Sequence, residues 1–418
     1  MTTLPKERLR IGFIGSGFIA QFHLRSMIGV RNIDVVAVYS RDEQKRSRFA
    51  RLVSELELGD CRSHATLESM LADENVDAIW VTSPNHTRLD IMRVIHAEVK
   101  AGRSKVFAVA CEKPLARTVG EAREMLHLAE DADLNHGYLE NQVFCTPVAR
   151  GKEIIWRRAA ATTGRPYLAR AAEEHSGPHE AWFWQGDKQG GGVLSDMMCH
   201  SLEVARHLLT PPDAKRNTLR VKSVNGTVAN LKWTRPHYAD QLRARYGSGV
   251  DYRNRPSEDF ARGVVALEDE DGNELMIEAT TSWAYVGAGL RIQLELLGPE
   301  YALEYNSLNT GLRIFMSREV KGGEGEDLVE KQNAEQGLMP VLEDEPGVYG
   351  YTDENRHMTE CFRKGIIPIE TFADGLAVVE MMMGLYLSAE TEKTVHFPAP
   401  ELENYVPVVA RAFSSKSA

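Results

Sequence analysis

From Leu9 to about Asn135, short apolar runs alternate with amphipathic stretches. Residues 9–14 predict a strand and 18–29 a helix. Residues 33–39 (IDVVAVY) form an apolar run, as expected of a strand buried on both faces. Residues 42–58 predict a charged amphipathic helix. Residues 76–82 and 105–110 predict two further buried strands, followed by helical pattern at 87–101 and 119–132. This alternation predicts a parallel sheet with helices on both faces.

The alternation stops near Asn135. Residues 147–160 predict one helix. Strands are expected over 221–231, 262–267, 274–283, 291–297 and 301–305, with Asp269-Glu270-Asp271-Gly272 as a turn between two of them. No second strand–helix–strand series follows, so this half predicts an antiparallel or mixed sheet. Polar, glycine-rich loops are expected at 243–256 and 322–336, and a last amphipathic helix at 376–392. Two domains follow, 1–137 and 138–418, with the last helix returning towards the first. A length of 418 residues is too long for one ordinary core and suits two.

The formal net charge of -11 argues against a nucleic-acid or anionic-membrane partner. The five cysteines are scattered, with no C-x-x-C pair, as expected of reduced thiols in a cytoplasmic protein. Residues 1–10 hold no apolar signal core, and no apolar run of about 18 residues is evident, so no membrane span is expected.

Gly15-Ser16-Gly17-Phe18-Ile19-Ala20 follows the first strand and opens the first helix. That is the context a G-x-G-x-x-G/A dinucleotide fingerprint requires. Gly15 permits a tight turn, Gly17 lets a pyrophosphate approach the backbone, and Ala20 lets helix and strand pack closely. The helix N-terminus offers unpaired N–H groups to the phosphates. The acid expected at the end of the second strand is absent. Ser40-Arg41 stands there, with Asp42 just beyond. Arg41 can pair with a ribose 2′-phosphate and Ser40 can bond it, which favours NADP slightly over NAD. Alternatively, Ser40-Arg41 only begins the next helix and NAD binds regardless. Ser83-Pro84-Asn85-His86 follows another strand at the carboxyl edge, where Asn85 and His86 either line the nicotinamide side or cap a helix.

Glu112-Lys113-Pro114 follows the strand at 105–110. A lysine at this edge can hydrogen-bond a substrate hydroxyl and a cofactor ribose together. In Gly190-Gly191-Gly192-Val193-Leu194-Ser195-Asp196-Met197-Met198-Cys199-His200, three glycines precede a helical pattern, and Asp196 and His200 share a helix face. A histidine can take the proton of an alcohol as hydride leaves its carbon, and a carboxylate one turn away can orient it. The competing reading is a plain Asp–His pair on a helix surface.

Together these motifs resemble the glucose–fructose oxidoreductase / inositol dehydrogenase (Gfo/Idh/MocA) family, from Arg8 to about Pro398. The resemblance implies an α/β chain with an N-terminal Rossmann domain and a C-terminal α+β domain built on an open-faced, mainly antiparallel sheet. It implies NAD(P)-linked oxidation or reduction of sugars and cyclitols. By position, Lys113 matches the family lysine that touches cofactor and substrate, His200 the acid/base, and Asp196 its substrate-binding partner. Met198 stands where the family often has glycine, and Glu203 where it often has aspartate. An open sheet face would expose apolar surface, so a homodimer or homotetramer is expected.

Residues 173–184 (EEHSGPHEAWFW) form a further cluster on an expected loop. Gly177-Pro178 forbids a regular helix, so His175 and His179 are not a helical pair. His175, His179 and Trp182 are candidates for sugar binding, weighed against core aromatics beside exposed polar groups. His175, His179, Asp196 and His200 are ligand types that would suit a metal, but the implied chemistry needs none, so no metal is expected. Trp283 and Tyr285 are further pocket candidates, and 349–357 either closes over the site or starts a helix. Three functions compete. The first is an NAD(P)-dependent dehydrogenase or reductase of a small carbohydrate or cyclitol. The second is an NAD-dependent glycoside hydrolase that oxidises C3 transiently. The third is a non-catalytic dinucleotide-binding sensor.

Overall fold

The computed structural model describes residues 6–212, 214, 216–319, 332 and 336–411. The chain divides into two compact units, Met1–Cys145 with Tyr349–Val379, and Thr146–Val348 with Glu380–Ala418.

In the first unit, strands β1 (Leu9–Ile14), β2 (Ile33–Tyr39), β3 (Arg62–His64), β4 (Ala78–Val81), β5 (Ala108–Glu112) and β6 (Asn135–Leu139) alternate with helices α1 (Phe18–Ser26), α2 (Glu43–Glu55), α3 (Leu67–Leu71), α4 (Asn85–Lys100) and α5 (Val119–Asp131). The six strands form one parallel sheet in the order β3-β2-β1-β4-β5-β6. The order reverses between β1 and β4, the switch point at which doubly wound sheets bind ligands. Ile11, Phe13, Val35, Ile79 and Trp80 are fully buried, as strands covered on both faces require. Asp42, Thr66 and Thr118 cap α2, α3 and α5 through bonds to Lys45 N, Ser69 N and Glu121 N. The apolar run at 105–110 begins before β5 does, because its partner β4 starts only at Ala78, opposite Ala108. Strand β6 (NHGYL) is polar at its start, and it lies at the sheet edge.

The second unit starts with α6 (Thr146–Ile154), which runs on through a π-helical turn at Ile155–Ala160. There follow β7 (Leu168–Glu174), α7 (Cys199–Leu209), β8 (Arg220–Ala229), α8 (Pro236–Tyr246), β9 (Phe260–Glu268), β10 (Glu274–Ser282), β11 (Arg291–Gly298), β12 (Tyr301–Asn306), β13 (Leu312–Met316) and β14 (Gly337–Val341). Helix α9 (Tyr351–Lys364) belongs to the first unit. Helix α10 (Phe372–Thr391) begins there and ends in the second, before β15 (Val395–His396). Seven strands form a mixed sheet, β12-β11-β7-β10-β9-β8-β15, with only β7 and β10 parallel.

Helix α7 covers one face of this sheet over β7 and β10. Ala169, Ala171, Ile277, Leu294 and Leu296 are buried beneath it. The opposite face is open and charged rather than apolar, contrary to the sequence expectation. Arg170 bonds Glu278 and Glu295 there, each at 2.8 Å, and Arg262, Thr280 and Gln293 line the same concavity.

Part of the loop expected at 243–256 is helix α8. Pro236 starts it and Gly247 ends it, but only Ala239 and Leu242 are buried, so its apolar signal is faint. The loop expected at 322–336 lies mostly outside the described residues. Helix α10 is long and apolar enough by composition to cross a membrane, at mean hydropathy 1.3, which the run-based reading missed. Its Val378, Met381, Met382 and Leu385 are fully buried in the fold, as a core helix requires.

Candidate active site

The loops leaving the carboxyl edge of the parallel sheet carry most of the cofactor candidates. Gly15 has φ +110°, and a Cβ there would meet the Thr82 backbone at 2.9 Å. Only glycine fits the turn. Gly17 opens on empty space, since an added Cβ meets nothing within 4 Å. It caps α1 with no side-chain bond, and the first turn of α1 holds no acid. Ser16 Oγ is buried with no hydrogen-bond partner. A free helix N-terminus, open space and an orphaned hydroxyl fit a dinucleotide pyrophosphate. Phe18 is exposed, Ile19 half-buried and Ala20 fully buried against the sheet.

At the end of β2, Ser40 is half-buried and Arg41 exposed. Neither starts the helix, because Asp42 is its cap. The Asp42 carboxylate accepts Lys45 N at 3.0 Å, and that bond and the helix end hold it below its usual range. Arg46, which sequence reasoning passed over, bonds the Ser40 carbonyl at 3.3 Å.

After β4, Asn85 is buried and His86 half-buried in the first turn of α4, with Pro84 as the cap. Arg88 on the same helix is 4% exposed, and sequence reasoning missed it. It bonds the Ser83 carbonyl at 3.0 Å, the Glu112 carbonyl at 2.6 Å and the Pro114 carbonyl. Two sheet-edge loops are thereby tied to one guanidinium. Glu112 is buried, and its Oε2 accepts Lys113 N at 2.9 Å while Oε1 meets His23 Nε2 at 2.8 Å. Lys113 is half-buried and precedes a cis peptide to Pro114.

In the second unit, Gly190, Gly191 and Gly192 lead into a π-helical turn, Leu194–Met198, which continues as α7. Asp196 lies in the wide turn and His200 in the α-helix, both buried. Such turns are common at functional sites. Asp196 Oδ2 accepts Trp283 Nε1 at 3.1 Å, and His200 Nε2 is 3.9 Å from Glu173 Oε2. Trp283 is fully buried, so it anchors Asp196 rather than lining open space, while Tyr285 rests under Arg291 at 4.7 Å.

The start of this helix is clamped by Glu258, another residue sequence reasoning missed. Its Oε1 accepts Gly192 N and Leu194 N, each at 3.0 Å, and Tyr386 Oη at 2.5 Å. Burial pushes its carboxyl up to about 7 against those bonds. Burial and the Glu258 charge push the Tyr386 phenol well above its ordinary value. Gly192 must be glycine, since a Cβ there would lie 2.4 Å from the Glu258 carbonyl. Glu203 is fully buried between Arg206 at 2.9 Å and Arg216 at 2.6 Å, so it anchors α7.

The 173–184 segment forms no regular helix through Gly177-Pro178. His175 is buried, and its Nδ1 accepts Gly177 N at 2.9 Å. His179 is exposed, and its carbonyl accepts Tyr246 Oη at 2.7 Å. Trp182 is half-buried and stacks on Phe183 at 3.8 Å. Trp184 is core, packed on Trp233, Tyr252 and Trp283. Residues 349–357 start α9, where Asn355 is buried and bonds Trp80.

Residues 9–137 match the family model described as an oxidoreductase family, NAD-binding Rossmann fold. Residues 164–397 match its C-terminal alpha/beta domain. The chain belongs to the Gfo/Idh/MocA oxidoreductase family. Among curated relatives of this family, 1,5-anhydro-D-fructose reductase of Ensifer adhaerens is 29% identical over 49% of this chain and 58% of its own length. Myo-inositol 2-dehydrogenase of Thermotoga maritima is 24% identical over 48% of this chain and 55% of its own. The chain thus spans little more than half the length of the curated relatives it matches. Among solved structures, GenD2 from gentamicin A biosynthesis in complex with NAD shares the fold at TM-score 0.74 and 24% identity, covering 96% of this chain and 99% of its own. Levoglucosan dehydrogenase in complex with NADH and levoglucosan does so at TM-score 0.68 and 20% identity, covering 94% and 100%.

Proposed function

We propose that the protein is an NAD(P)-dependent oxidoreductase acting on a CH–OH group of a sugar, sugar derivative or cyclitol. The observation that carries this reading is the Lys113 loop, held by buried Glu112 and Arg88 at the same sheet edge as the open Gly17 turn. When bound, the nicotinamide supplies a hydride acceptor or donor. Lys113 stabilises the developing charge on the substrate oxygen. His200 accepts or returns the hydroxyl proton, and Asp196, steadied by Trp283, orients a neighbouring hydroxyl. Lys113 belongs to the first unit and Asp196 and His200 to the second, so their joint action is part of the proposal. His175, His179 and Trp182 supply the remaining substrate contacts.

NADP is the preferred cofactor. The acid nearest the end of β2, Asp42, is engaged in capping α2, whereas Arg41 is exposed beside Ser40. Arg41→Ala should weaken NADP binding about tenfold or more while changing NAD binding little, consistent with a charge-assisted bond. Equal effects on both would remove the preference. A homodimer or homotetramer covering the open sheet face belongs to the same reading, as does a cytoplasmic setting for the five free thiols.

The deciding experiment follows nicotinamide absorbance with myo-inositol, levoglucosan, 1,5-anhydro-D-fructose and D-xylose as probes. A substrate-dependent steady change supports the oxidoreductase. Glycosidic cleavage without net absorbance change would replace it with the hydrolase.

A further inference from the structure

We propose that His23 is a positioning residue for Lys113, acting through Glu112. This rests on the reading of Lys113 as the residue that meets the substrate oxygen.

His23 lies on α1, three residues past Ala20, and is fully buried. Nothing in the glycine fingerprint calls for a histidine there. A buried imidazole needs a partner at each nitrogen. Nε2 meets Glu112 Oε1 at 2.8 Å. Asn355 faces the Nδ1 side, and its orientation is set by its other neighbours. Asn355 Oδ1 accepts Trp80 Nε1 at 2.9 Å. Its Nδ2 hydrogens have acceptors in Ser26 Oγ at 2.8 Å and the Tyr351 carbonyl at 2.9 Å. Asn355 meets His23 Nδ1 with both ends of its amide, Nδ2 at 3.0 Å and Oδ1 at 3.3 Å. Nε2, facing a carboxylate, donates to it.

The surrounding acids agree with this assignment. Glu112 stays below the ordinary carboxyl range. Burial pushes it up, but the bond to His23 and the charges of His23, Lys113 and Arg88 outweigh burial. Glu354 Oε2 is 3.9 Å from Nδ1. Burial, then the charges of Glu112, Glu140 and Glu370, push the Glu354 carboxyl well above its ordinary value. Glu112, at 2.8 Å, is therefore the carboxylate that His23 holds, and its other oxygen accepts Lys113 N at 2.9 Å.

The Lys113 backbone is thus fixed from two sides, by His23 through Glu112 and by Arg88 on the carbonyls of Glu112 and Pro114. A buried polar pair adds little net stability over apolar packing of the same volume. What this one supplies is geometry. A misplacement of about 1 Å at a working group can cost on the order of a hundredfold in rate.

His23→Phe keeps an aromatic ring and removes both ring nitrogens, whereas His23→Gln keeps an N–H near the Nε2 position. In the polyol assay above, His23→Phe should lower kcat about tenfold to a hundredfold. The nucleotide Kd, read by fluorescence quenching, should stay within about threefold, since the pyrophosphate turn is untouched. His23→Gln should recover most of the loss. In the same samples, hydrogen exchange of the Lys113 amide should speed up in His23→Phe and not in His23→Gln. Unchanged kcat and exchange in His23→Phe overturn the proposal. So does a nucleotide Kd that weakens as much as kcat falls. Should His23→Phe fail to fold, Glu112→Gln decides: lower kcat with faster Lys113 exchange supports the proposal, and no change overturns it. Lys113→Ala is measured alongside. If it abolishes turnover while His23→Phe leaves kcat and exchange unchanged, only the role of His23 falls. If Lys113→Ala turns over normally, the reading of the site falls as well.

Discussion

Single side chains carry the chemistry, and their neighbours decide how well. Lys113 leaves a backbone held by Glu112 and Arg88, and Asp196 is held by the Trp283 indole. Lys113→Ala and His200→Ala should each cut turnover by about a hundredfold or more, the usual scale for a charge stabiliser or a general acid/base, with nucleotide binding retained. Steady-state rates beside a fluorescence titration check this, and near-normal turnover in either variant removes the assigned role. The motif residues were legible in the sequence because turn chemistry and sheet-edge position are local properties. Arg88, His23 and Glu258 were not, and Trp283 was legible as a pocket candidate but not as an anchor. Each lies far along the chain from what it holds, and no local pattern marks a buried polar residue as an anchor.

At the scale of elements, the strongly periodic strands and helices emerged almost where the apolar pattern put them. Strand β7 did not. Its sequence, LARAAEE, is rich in helix formers, yet it pairs with β10 and β11 on both edges. Pairing and the close approach of α7 over Ala169 and Ala171 override local propensity. The helix bearing Asp196 and His200 is set by the glycine run before it. Gly192→Ala should destabilise the protein by roughly 1–3 kcal/mol, because the new methyl meets the Glu258 backbone and must displace it. At Gly17 the same change meets open space. Gly17→Ala should therefore leave the melting temperature unchanged while loosening nucleotide binding. A melting curve and a titration on the two variants separate fold from site, and a destabilised Gly17→Ala would contradict the open turn.

At the scale of the whole molecule, two buried groups give stability opposite pH dependences. Burial holds His136 down to about 4, so the folded protein stays neutral there while the unfolded chain takes a proton below its ordinary value of 6.5. Its contribution is therefore lost as pH falls from 6.5 to about 4. Glu258 is held up to about 7 from an ordinary 4.5, so the unfolded chain gives up its proton first. Stability from this group is lost as pH rises from 4.5 to about 7. The melting temperature of Glu258→Gln, relative to the parent chain, should rise across that window. A difference that is flat with pH would show that Glu258 ionises normally in the folded state.

The sequence by itself determined the parallel sheet, the glycine turn, the Lys113 loop and the glycine-led helix with Asp196 and His200. Each is written in residues a few positions apart, where apolar period and glycine conformation act directly. Only the tertiary structure decided which distant side chains hold those motifs, that the open sheet face is charged, and that the apolar helix α10 is core. Those outcomes depend on pairings between segments tens to hundreds of residues apart, and burial, not local spacing, sets their energies.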